Sequence, residues 1–308
     1  MPHTRGKADF QKCVELIGGP KHLHHAARAG WRRVLDTSIR GQQRFQALLF
    51  QCLNAPRDEH PWDTMSGRSF RDLPHYFGWI SPKRDRLIIC TNAAAKIASL
   101  LLPVCWTHPD GDIEFSGIPG LRVEKCDERG IVMKHLSTGG ILELCESRRL
   151  DKWSSRFGLN REVEHHLHGN VRRKFCAAST YRDEGLTEHE EAMADYWADR
   201  PGTFLLSALM ARNLIFWRHN NHKMTVRTPR RNRSAVRLTW LNGYSVDKIG
   251  DLLTSPAIGI RGAVFEPGRS DFLPALLRVD DDQVELDAPF AGHLTRLRRR
   301  DREIKGKS

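Results

Sequence analysis

The sequence has no apolar run long enough to cross a bilayer. The longest, Ala93 to Trp106, is broken by Lys96 and Pro103, and a spanning helix takes about 20 residues. Its seven cysteines (Cys13, Cys52, Cys90, Cys105, Cys126, Cys145, Cys176) are odd in number, widely spaced and without a Cys-x-x-Cys pair. That argues against a disulfide framework and against a zinc ribbon. The opening MPHTRGKADF lacks the apolar segment and cleavage site of a secretory leader. Internal repeats, targeting motifs, phosphate loops, dinucleotide fingerprints and a Gly-x-Ser-x-Gly elbow are likewise absent from the pattern. The expectation is a cytoplasmic protein with no membrane partner and no cofactor.

One further absence is informative. Between Arg200 and Val246 there is no aspartate or glutamate, yet there are nine basic residues: Arg200, Arg212, Arg218, Lys223, Arg227, Arg230, Arg231, Arg233 and Arg237. The whole chain of 308 residues carries a formal charge of +12, so most of the excess sits in this one stretch. A basic surface concentrates phosphates and gains free energy from released counterions, which points to a nucleic-acid partner.

Apolar periodicity predicts an α+β chain, mostly helical. Residues 1–105 read as a helical region, with a helix from Ser38 to Leu53. Two short strands, Gly78 to Ile80 and Leu87 to Cys90, follow around the turn 81–85, and a helix capped by Thr91 comes next. Helices with a basic-tipped hairpin resemble a winged helix, in which Lys83, Arg84 and Arg86 would touch phosphates. Residues 106–150 read as an antiparallel β-meander, and 151–218 as helical. In that region Val163, Leu167, Val171 and Phe175 form a stripe, Thr187 and Glu190 a capping box, and Phe204 to Trp217 an apolar helix. A basic connector (219–233), a domain with a short hairpin (234–295) and a charged tail (296–308) complete the division.

Within 234–266, Ser234 to Asn242 reads as a short helix ended by Gly243, and Ser245 caps a second helix, Val246 to Leu253. Pro256 opens a third. The pattern Trp240-x-x-Gly243-x-Ser245-x-x-x-Ile249-Gly250-x-x-Leu253, continued by Ser255-x-Ala257-Ile258, resembles the helix-turn-helix of GcrA-type cell-cycle regulators and, more loosely, of sigma-like activators. The resemblance implies a tri-helical DNA-binding domain whose third helix turns Ser255, Ala257, Ile258 and Arg261 toward the major groove. Arg237, Ser245 and Lys248 lie in the same motif. Upstream, Arg227, Arg230, Arg231 and Arg233 would follow the phosphate backbone or enter the minor groove as an arm.

Reaction centres are sparser. His22, His24 and His25, and His165, His166 and His168, contain His-x-His pairs, but the second cluster falls on a helical pattern where alternate residues diverge. No metal site is expected. A restriction-type, Mg²⁺-dependent DNA endonuclease would draw on Asp110, Asp112, Glu114, Glu124 and Lys125, although adjacent Glu124 and Lys125 point to opposite faces of a strand. Asp280 to Asp282 reads as a hairpin turn. The expectation is therefore a regulatory or mobile-element protein that binds double-stranded DNA on the nucleoid, with room for homo-oligomerisation. The endonuclease and a structural or interaction protein stand as alternatives.

Overall fold

Val236, Leu238 and Trp240 are buried while Arg237 and Thr239 between them are not. That two-residue period is the signature of a strand with one face on a core. The computed structural model describes residues 35–54, 77–107, 110–111, 113–127, 130–146, 172–175, 185–198, 203–219, 224–227, 236–240, 243–256, 259–268 and 274–288. In it Val236–Thr239 is strand β10, paired in parallel with β13 (Asp282–Asp287) and antiparallel with β9 (Thr225–Arg227).

This overturns the mostly helical architecture and its C-terminal tri-helical domain. Among the described residues six helices stand beside thirteen strands. The strands form two five-stranded mixed sheets and one three-stranded sheet. Only the middle helix of the expected motif exists, α6 (Val246–Leu253), capped by the Ser245 hydroxyl, which accepts from the Lys248 N–H. The expected third helix is replaced by a turn and strand β11 (Val264–Glu266), because Gly262 sits at φ 75°, outside the helical region. Ala257 and Ile258 lie outside the described residues, as do the histidine clusters and most of the stripe from Val163. The end of that stripe is strand β8 (Arg172–Phe175), not a helix.

The first sheet has the order β1-β2-β7-β6-β5. Strands β1 (Phe77–Pro82) and β2 (Leu87–Thr91) form a hairpin. Strands β5 (Leu121–Asp127), β6 (Gly130–His135) and β7 (Ile141–Glu146) run as an antiparallel meander, and β7 lies parallel to β2. The hairpin that resembled the wing of a winged helix thus supplies two strands of a five-stranded mixed sheet, and helix α2 (Ala94–Leu101) follows it. The second sheet has the order β9-β10-β13-β12-β11, where β12 is Ala275–Val279. A small third sheet joins β3 (Val104–Thr107) to β4 (Ile113–Ser116) and β8.

The two large sheets are copies of one plan. Each consists of a hairpin, a helix and a three-stranded meander whose last strand lies parallel to the second hairpin strand. The register agrees residue by residue. Leu87 and Ile89 pair with Leu142 and Leu144 as Val236 and Leu238 pair with Val284 and Leu286, and all eight are buried. The expectation of no internal repeat is corrected by this topology and by the sequence behind it. Helix α2 reads AAKIASLL and helix α6 reads VDKIGDLL. After each comes the same turn, Gly117-Ile-Pro-Gly-Leu-Arg-Val-Glu124 in one unit and Gly259-Ile-Arg-Gly-Ala-Val-Phe-Glu266 in the other.

The turns are also alike in backbone. Ile118 donates its N–H to the Leu101 carbonyl at 2.8 Å, and Ile260 donates to Leu253 at 2.7 Å. Leu121 and Ala263 then donate back to Ile118 and Ile260, both at 3.1 Å. Gly120 and Gly262 have φ of 77° and 75°, where a side chain is strained. A Cβ on Gly117 or Gly259 would come within 2.2 or 2.5 Å of a backbone carbonyl oxygen. The matching Ile97, Leu100 and Leu101, and Ile249, Leu252 and Leu253, are all buried. Each contributes about 1.5–3 kcal/mol on leaving water.

A further helix precedes each copy. Helix α1 (Arg40–Leu53) lies against the first sheet, where the Gln42 side-chain amide donates to the Ile141 carbonyl at 3.0 Å and accepts from its N–H at 2.7 Å. Helix α4 (Phe204–Ala211) approaches the second, with the Leu205 N–H directed at an Asp282 carboxylate oxygen at 3.5 Å. The apolar helix expected over 204–217 breaks at Arg212 and Asn213, after which α5 (Leu214–His219) begins. Helices α1 and α4 pack on each other, with the Ser207 hydroxyl donating to Gln46 Oε1 at 2.8 Å. Contact between equivalent elements is the arrangement of an isologous pair. Trp217 seals it, stacking on Phe77 at 4.3 Å and donating its indole N–H to Asn54 at 2.8 Å. One continuous apolar core results.

The remaining helix, α3 (Glu188–Ala198), is opened by the expected capping box. The Thr187 N–H donates to Glu190 at 2.9 Å, and the Glu190 N–H to the Thr187 hydroxyl at 3.3 Å. Glu190 also accepts from the Gly120 N–H at 2.7 Å and pairs with Arg122. That pair fastens α3 to the first unit.

Candidate nucleic-acid interface

Pro82 and Leu87 close the β1–β2 ladder, leaving Lys83, Arg84, Asp85 and Arg86 at its tip. The turn is held by the Lys83 N–H donating to the Arg86 carbonyl at 2.8 Å and by the Thr37 hydroxyl donating to the Arg84 carbonyl. Arg86 is half-buried, hydrogen-bonded to Asp85 at 3.0 Å and 3.6 Å from Glu143. Its guanidinium holds the Asp85 carboxyl below the usual carboxylate range. Lys83 and Arg84 are exposed.

Strands β9 and β10 form the equivalent hairpin of the second unit. Arg227 and Arg237 stand directly opposite one another, and like charges so placed repel. Glu285 on the neighbouring β13 takes up Arg237, at 2.6 Å, while Arg227 is exposed. Residues 228–235, which join the two strands, carry Arg230, Arg231 and Arg233; these three lie outside the described residues. Of the basic segment expected as a connector, Thr225–Arg227 is strand β9.

The faces of the two sheets opposite the helices differ in chemistry. On the second, Arg227, Arg237 and Arg278 share the face with Gln283, Glu285 and Glu266, and Arg278 pairs with Glu266 at 3.0 Å. Arg278 and Gln283 were not singled out from sequence, although alternation with buried Leu277 and Val284 marks them. On the first sheet the same face shows Trp79, Ile88, Val132 and Ile141, together with Cys90, Cys145 and the polar Ser81, Lys134 and Glu143.

The other expected DNA-facing residues that are described fall in different settings. Ser245 is a helix cap, and Ser255 is buried. Lys248 is exposed with its ammonium 5.7 Å from the centre of the Tyr244 ring, and Arg261 is exposed in the turn before β11. Of the acids considered for catalysis, Asp110 is exposed in the turn before β4 and Glu114 belongs to β4 in the small sheet. Glu124 is exposed in a bulge of β5 in the first large sheet, with Lys125 paired to Asp127 at 2.6 Å. Asp112 lies outside the described residues. Among the described residues there is no group of three or more metal-ligating side chains, and no helix is long and apolar enough to cross a membrane.

No protein-family model matches the sequence, and neither a curated protein nor a solved structure matches it. What the fold itself defines is a duplicated α/β chain of two like units, each with a basic β-hairpin at the same place in its sheet.

Proposed function

We propose that the protein binds double-stranded DNA through its two equivalent hairpins, β1–β2 with Lys83 and Arg84, and β9–β10 with Arg227, Arg230, Arg231 and Arg233. The observation that carries the reading is topological. Two basic clusters far apart in the chain fall on the same connection of the same repeated unit. A duplex offers phosphates at regular intervals along two related strands, so paired elements of one protein can each reach the backbone. The Arg227–Arg237 repulsion favours it further, since a phosphate beside Arg227 relieves a like-charge contact. Both clusters supply backbone contacts, so affinity is expected to exceed sequence selectivity. Action on the nucleoid goes with this reading. The endonuclease alternative would need its acids to converge, and Glu114 and Glu124 belong to different sheets.

The test is duplex binding as a function of salt, where each lost phosphate contact lowers the log–log slope by about 0.9. Lys83→Ala with Arg84→Ala, and separately Arg230→Ala with Arg231→Ala and Arg233→Ala, should each weaken binding and flatten the slope. Unchanged binding in either variant rules out the paired-hairpin reading.

A further inference from the structure

Cys90 on β2 and Cys145 on β7 are direct register partners in the parallel ladder. Partners in a parallel pair project from the same face, and neighbouring strands lie about 4.8 Å apart, inside the range of about 4.4–6.8 Å that a disulfide needs between Cα atoms. The face is fixed by the residues before them, since Ile89 and Leu144 are buried against the helices and the cysteines therefore point the other way. Along the same row β1 contributes Trp79 and β6 contributes Gly130. A glycine there leaves the flank of Cys145 without a side chain. Cys90 is 5% exposed and Cys145 is more open, its thiol donating to Glu143 at 3.3 Å.

We propose that Cys90 and Cys145 are a redox-convertible dithiol, closed by small-molecule disulfides into a bond that ties the two parallel strands of the first sheet together. The more open Cys145 gives up its proton and attacks one sulfur of the oxidant RSSR, forming a mixed disulfide and releasing RS⁻, which takes that proton. The Cys90 sulfur then attacks the Cys145 sulfur, and its proton leaves with the second RS⁻. Two protein thiols are oxidised, one RSSR is reduced, and two RSH are formed.

The internal repeat supplies a control, because the second unit has Thr239 and Asp287 at the equivalent positions, paired in the same register. The device belongs to one copy only. Parallel neighbours leave their Cβ atoms farther apart than a relaxed disulfide prefers, so the bond is of the strained, easily reduced kind.

The experiment exposes the reduced, folded full-length protein to oxidised glutathione, quenches with acid and maps peptides without reduction. The expected result is a peptide pair joining Cys90 to Cys145, about 2 Da lighter than the two reduced peptides together and separated by dithiothreitol. The same oxidation in denaturant should lose the preference for that pair. Cys90→Ser should instead leave Cys145 as a glutathione adduct, and far-ultraviolet circular dichroism verifies that this variant is folded. If the unsubstituted protein keeps both cysteines reduced, stops at glutathione adducts, or joins a different pair in preference, the proposal is wrong.

Discussion

Glu190 grips Arg122 with both carboxylate oxygens, at 2.6 and 2.7 Å from the two terminal guanidinium nitrogens, and neither side chain is more than 4% exposed. Burial works to raise the Glu190 pKa, but hydrogen bonds from Arg122, Thr187 and Gly120 outweigh it and hold the carboxyl below its ordinary value. In the second unit the position of Arg122 is taken by Val264, which is 57% exposed. The pair is therefore an addition to one copy of the repeat.

Removing one partner of such a pair strands a buried charge. Arg122→Leu should cost about 3–5 kcal/mol, read as a lower midpoint in urea at pH 7. Val264→Leu, at the matching position, should change stability by less than about 0.5 kcal/mol. Equal losses at the two sites would show that the ion pair contributes nothing particular.

His135 is buried beneath Phe45, whose ring stacks on it at 5.4 Å. One ring nitrogen lies 3.0 Å from the Pro119 carbonyl and the other 2.8 Å from the Thr138 hydroxyl. That network fits a neutral imidazole donating to Pro119 and accepting from Thr138. Burial pushes its pKa down to about 4, against 6.5 for a free side chain. The unfolded chain therefore binds the extra proton first as pH falls. The contribution is complete above about pH 6.5 and is lost toward pH 4, by about 1.4 kcal/mol per unit. Glu190, also held below its ordinary value, adds a loss at still lower pH, in the same direction. Unfolding free energies measured from pH 7 to 4 should show this limb, and His135→Gln should flatten it. A limb that survives His135→Gln unchanged assigns it to other groups.

Gly250 faces the Phe265 ring, and an added Cβ would come within 2.5 Å of it. The equivalent positions of the first unit hold Ala98 and Val123, so each copy pairs a smaller residue with a larger one differently. Gly250→Ala should overpack the site and destabilise by about 1–3 kcal/mol. Combining it with Phe265→Val, the first unit's solution, should recover part of that loss. A double-mutant cycle measures the coupling, and strictly additive effects would mean that the two residues do not share the space.

The Cys90 thiol is pushed up to about 11 by burial and the Glu146 carboxylate, and Cys145 to about 12 by burial and Glu143. Both should react with iodoacetamide far more slowly in the folded protein at pH 8 than once unfolded, and closure by oxidised glutathione should likewise be slow and quicken as pH rises, because the thiolate is the reacting form in both reactions. Labelling of Cys145 at the rate of an unfolded cysteine would contradict the environment described.

Short-range signals in the sequence reached the structure well where one residue fixes one local event. Ser245 starts α6, Thr187 and Glu190 start α3, and Asp280, with φ 50°, turns the β12–β13 hairpin. The failure at Val236–Thr239 has a different origin. Four residues are too few to separate a helical from an alternating period, and the partner that decides the matter, β13, lies nearly 50 residues later. The repeat escaped because its two sequence blocks do not keep a common offset. The β3–β4 hairpin lies between Leu101 and Gly117, whereas Leu253 reaches Gly259 directly. The basic residues were visible one by one, but their equivalence is a property of sheet order and appears only once the strands are paired.

That inserted hairpin shows what the architecture tolerates. The first unit carries the whole β3–β4 excursion between α2 and the Gly117 turn while keeping the same helix, turn and meander as its twin. The corresponding stretch of the second unit, at exposed Pro256, is the natural graft point for a reporter peptide, a permissive position already tried once by the chain itself.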